Sequence, residues 1–83
     1  MNITVRKIKT DSDSVIGAVF TTNIPNSANE KVISDIENRI INYAFDNYFK
    51  NESLSIFKSI YRDMISVAFI RNLNELEQET IQI

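Results

Sequence analysis

The apolar positions of the chain begin in two short runs. Ile3-Thr4-Val5-Arg6-Lys7-Ile8 is rich in β-branched residues and reads as a strand. Val15-Ile16-Gly17-Ala18-Val19-Phe20-Thr21-Thr22 reads as a second strand, and its continuous apolar stretch predicts burial on both faces. Between them, Thr10-Asp11-Ser12-Asp13-Ser14 is a turn cluster, because Asp and Ser side chains satisfy the backbone groups a turn leaves open. The two strands are expected to form an antiparallel hairpin. Gly17, inside the second, marks a bulge or a close backbone approach.

After Ile24-Pro25-Asn26 the period changes. Ser27-Ala28-Asn29-Glu30 matches a capping box, in which Ser27 accepts from exposed amides and Glu30 reaches back. A helix is expected from about residue 28 to 49. Val32, Ile33, Ile36, Ile40, Tyr43 and Ala44 recur at helical spacing, and Ile41, Phe45 and Phe49 form a second row. Lys50-Asn51-Glu52-Ser53 interrupts the pattern.

Beyond Ser53 a second amphipathic helix is expected, with Ile56, Phe57, Ile60, Tyr61, Met64, Val67 and Ala68 on one face. The phase then shifts to a row of Ile65, Phe69, Leu73 and Leu76. Two readings fit the shift. The helix continues to about residue 77, or residues 65–70 form a third strand. Helix is preferred because no Gly or Pro interrupts the stretch. Thr80-Ile81-Gln82-Ile83 alternates like a short terminal strand or a frayed end. The expected fold is therefore α+β in the order β-β-α-α, a single domain over residues 1–83 with a possible short C-terminal strand.

Composition narrows the chemistry. A chain of 83 residues makes one small domain, which depends on good packing or on a partner subunit. It contains no cysteine and no histidine, so disulfides and the usual zinc sites are excluded. No run of about 20 apolar residues is present to span a membrane, and the basic start is not followed by a signal-peptide core. A cytoplasmic location is expected. Abundant Ile and Asn suggest an AT-rich genome, such as a phage or mobile element.

With one glycine there is no phosphate-cradling loop, and without histidine there is no ordinary hydrolase triad. Ser55-Ile56-Phe57-Lys58 spells S-x-x-K, but the companion motifs of penicillin-recognising enzymes are missing. Asp11 and Asp13 read as turn chemistry rather than a calcium loop. No catalytic residue, metal or cofactor is expected, and the chain is read as non-enzymatic.

Two binding functions remain. The first is a protein-interaction module, an adaptor or inhibitor that binds a host protein. The apolar rows Ile41, Phe45, Phe49 and Ile65, Phe69, Leu73 exceed what a two-stranded sheet can cover, which points to a homodimer joined through helix pairs. The second is a dimeric nucleic-acid-binding regulator. Arg6, Lys7 and Lys9 form a basic first strand able to enter a groove. A net charge of −2 argues against it, and ordinary protection of an edge strand explains the same residues.

Overall fold

A computed structural model describes residues 1–26, 28–50, 52–72 and 80–83. The chain runs β1 (Thr4–Lys9), β2 (Val15–Asn23), α1 (Glu30–Asn47), β3 (Leu54–Tyr61) and β4 (Met64–Arg71). The strands form one antiparallel sheet in the order β1-β2-β4-β3. The expected hairpin and first helix are present. The expected second helix is not: residues 54–71 are a second hairpin, and the order is β-β-α-β-β rather than β-β-α-α. Thr80–Ile83 form no strand.

The period explains the correction. In β4, Ile65, Val67 and Phe69 are fully buried, while Ser66, Ala68 and Ile70 between them are only partly buried. That alternation is the two-residue repeat of a strand. The side facing away from α1 also carries apolar groups, and these filled in an apparent helical repeat. The turn at Arg62-Asp63 has no glycine to announce it, and Arg62 itself adopts the left-handed φ of 57°.

Helix α1 starts on Asn29, whose Oδ1 accepts the Val32 N–H at 3.0 Å. The cap is thus Asn29; the proposed Ser27 lies outside the described residues. Ile36, Ile40 and Ala44, spaced four apart, form the buried stripe. At the other end the Tyr48 and Phe49 N–H groups both donate to the Ala44 carbonyl, which turns Phe49 back into the core.

The core lies between α1 and one face of the two central strands. Ala18 and Phe20 of β2 and Ile65, Val67 and Phe69 of β4 meet Ile36, Ile40, Ala44 and Phe49. Phe69 is its centre. Phe20 and Phe45 approach it edge-on at 5.4 and 6.1 Å, and Phe49 stacks on it at 5.8 Å. Each such pair adds about 0.5–1.5 kcal/mol to the area term. Buried Thr22 donates its hydroxyl to the Asn2 carbonyl at 2.8 Å, which ties the chain start to β2.

Candidate interaction surface

The rows predicted for self-association are spent inside the chain. Phe49, Ile65 and Phe69 are buried core residues, and Ile41 and Phe45 pack partly buried against them. Leu73 lies outside the described residues. Among the described residues there is no second helix to form the expected helix pair, because Ile65 and Phe69 belong to β4. The surplus apolar surface is met by two further strands from the same chain.

The basic strand is divided by its own geometry. The register sets Lys7 opposite Ala18, on the helix side, and Arg6 opposite Val19, on the other side. Lys9 follows a shift in the ladder and lies 3.5 Å from Asp13. A groove-binding ribbon needs these cations on one surface; β1 turns two of them to opposite faces. Asp11 and Asp13 sit in a turn closed by Thr10, whose N–H donates to the Ser14 carbonyl and whose carbonyl accepts the Asp13 N–H. Ser55 and Lys58 of the S-x-x-K sequence fall on opposite faces of β3, so they cannot act on one substrate atom. Among the described residues no group of three or more carboxylates gathers to hold a metal ion.

A groove of about 480 Å³ runs between β1 and α1, lined by Ile3, Val5, Arg39, Tyr43 and Tyr48 with Met1. It brings the Arg39 guanidinium to walls of aliphatic and tyrosine side chains, with no carboxylate among them.

The β3–β4 hairpin presents a more distinctive surface. Strand β3 is at the sheet edge and α1 does not cover it. On the helix side Ile56 and Ile60 are 39% and 51% exposed, and on the far side Phe57 and Tyr61 are 57% and 70% exposed. Met64 extends the far-side patch at 39% exposure, and the Arg62 guanidinium lies 5.3 Å from the Tyr61 ring centre. Large apolar groups therefore stand exposed on both faces of one edge strand. Single exposed apolar residues are ordinary, whereas a contiguous patch marks a contact surface.

The far end of the hairpin is held firmly. Ser55 Oγ donates to Asn72 Oδ1 at 2.8 Å, and Asn72 Nδ2 donates to Ser53 Oγ at 2.9 Å. Arg71 and Glu52 form an ion pair at 2.7 Å beside them. These contacts fix the register of β3 on β4, and with it which side chains the edge displays. The sequence already contained Ile56, Phe57, Ile60 and Tyr61 as an apolar group; what it lacked was a turn signal to place them on a strand.

No helix is long and apolar enough to cross a membrane among the described residues. No family model matches the sequence, and no curated protein or solved structure matches it.

Proposed function

We propose that the chain is a non-enzymatic protein-interaction module, an adaptor or inhibitor that meets its partner through the β3–β4 hairpin. The observation that supports this is the exposure of Ile56, Phe57, Ile60 and Tyr61 on both faces of an edge strand. An apolar edge offers a partner strand both backbone hydrogen bonds and side-chain pockets, the mode known as β-augmentation. The polar outer face of α1, with Lys31, Ser34, Asp35, Asn38 and Asn42 exposed, is the solvated side of the molecule.

Site-specific photo-crosslinking tests the reading. A benzophenone amino acid is placed at Tyr61, or at Asn38 on the helix, and the protein is irradiated in the cells that produce it. Discrete protein adducts from position 61 and none from position 38 are expected. Adducts from position 38 alone, or none from position 61, would contradict the proposal.

A further inference from the structure

We infer that one occupant of this edge is a second copy of the same chain, with the two β3 strands pairing antiparallel across a two-fold axis. The inference rests on the proposed interaction surface and commits it to a partner.

The two edges of the sheet are built differently. Strand β1 carries exposed Arg6, Lys7 and Lys9, and the β1–β2 ladder is broken by a shift between Ile8 and Lys9. Charges and bulges of this kind prevent edge-to-edge pairing. Strand β3 is regularly paired to β4 from Leu54 to Tyr61 and has one charged residue, Lys58. Only one of the two edges is therefore guarded along its length.

The hydrogen-bonding pattern determines how such a strand can pair with itself. In an antiparallel ladder, alternate residues direct their N–H and C=O groups to the neighbour or away from it. The Asn72 N–H donates to the Ser53 carbonyl at 3.5 Å, just beyond the Leu54–Arg71 pair. Odd-numbered residues of β3 thus bond to β4, and Leu54, Ile56, Lys58 and Ile60 direct their backbone groups outward. Two outward sets meet only when even residues oppose even residues. A pairing centred on Lys58 would oppose Lys58 to its own copy, which is unfavourable. A pairing centred on Phe57 engages Leu54 through Ile60 and avoids that.

In this register Phe57 faces the partner's Phe57 at a non-hydrogen-bonded position, Ile56 faces the partner's Lys58, and Leu54 faces the partner's Ile60. Phe57 and its copy form an aromatic cross-strand pair on the far face. On the helix side, Ile56 and Ile60 gain neighbours where α1 leaves them uncovered. The contact is isologous and closes at two copies. It satisfies the outward groups of both edges and leaves the guarded β1 strands outside.

The native chain has no cysteine, so single introduced thiols report on the register. Opposed residues at a non-hydrogen-bonded position have Cα atoms about 4.5 Å apart, within disulfide reach. Three proteins are compared with wild type: Phe57→Cys, Ser59→Cys and Lys58→Pro. Proline at 58 removes an outward N–H while leaving every β3–β4 hydrogen bond in place, and proline is tolerated at such edge positions.

Light scattering is measured from about 1 µM to about 1 mM, and the cysteine variants are oxidised with oxidised glutathione. Wild type should double in mass with rising concentration, Lys58→Pro should remain a monomer, and Phe57→Cys should crosslink well ahead of Ser59→Cys. A wild type that stays monomeric throughout overturns the inference, as does a Lys58→Pro protein that still doubles. Crosslinking through Ser59→Cys alone overturns the register. A monomer that still forms adducts with other proteins from Tyr61 would remove self-pairing and leave the interaction surface standing; no adducts at all would remove both.

Discussion

Gly17 sits opposite Ile70 in the β2–β4 ladder, and a methyl group on its Cα would collide with the Phe69 carbonyl oxygen. Backbone cannot yield as a flexible side chain can, so the strands would have to part. Gly17→Ala should therefore destabilise the fold by about 1–3 kcal/mol, as overpacking does elsewhere. Urea unfolding measures it: the midpoint should fall with an unchanged slope. A midpoint equal to wild type would mean that β2 and β4 are further apart than described. The sequence marks Gly17 as a bulge or a close approach, and both are found there. The β1–β2 register skips from Ile8↔Gly17 to Lys9↔Val15, which leaves Ile16 without an opposite residue.

Among the elements, the first hairpin and α1 were legible because several signals agree at each. Strand β2 has β-branched residues behind a turn cluster, and α1 has a polar entry, an apolar stripe at four-residue spacing and no interruption. The detail of the entry was less legible, since Ser27 and Asn29 are both competent caps. The structure uses Asn29, so Asn29→Ala should cost about 1 kcal/mol and lower the thermal midpoint, whereas exposed Ser34→Ala should change it little. Equal effects from the two would argue against the Asn29–Val32 bond as the helix start. The second hairpin was illegible for a specific reason. Ile56, Phe57, Ile60, Tyr61 and Met64 satisfy a helical repeat by coincidence, because β3 exposes apolar residues on both faces. Two periods fit one segment, and Arg62-Asp63 lacks the glycine of an Asn-Gly or Asp-Gly hairpin turn that would separate them. The residues that defeat the periodicity argument are the same residues that form the candidate surface.

At the scale of the whole molecule, the expectation of a dimer began from an imbalance: too much apolar surface for a two-stranded sheet. Most of that imbalance is resolved within the chain, since Ile65, Val67 and Phe69 are buried beneath α1. Among the described residues, Ile56, Phe57, Ile60, Tyr61 and Met64 of the β3–β4 hairpin stay exposed, as does a smaller group at Met1, Tyr43 and Tyr48 beside the β1–α1 groove. The proposed self-association therefore passes from the expected helix rows Ile41, Phe45, Phe49 and Ile65, Phe69, Leu73 to the backbone of β3, and its strength should depend on hydrogen bonds along that strand as much as on apolar area. The amides of that strand divide into two sets. Those of Ser55, Phe57, Ser59 and Tyr61 face β4, while those of Ile56, Lys58 and Ile60 face outward.

Amide hydrogen exchange of the ¹⁵N-labelled protein, followed by NMR at low and high concentration, reads both sets at once. Phe57 and Ser59 should be protected at every concentration, and Ile56, Lys58 and Ile60 should gain protection only as concentration rises. Uniform protection from Leu54 to Arg71 in dilute solution would contradict an open-edged hairpin, and outward amides that exchange freely at all concentrations would contradict its pairing with a second copy.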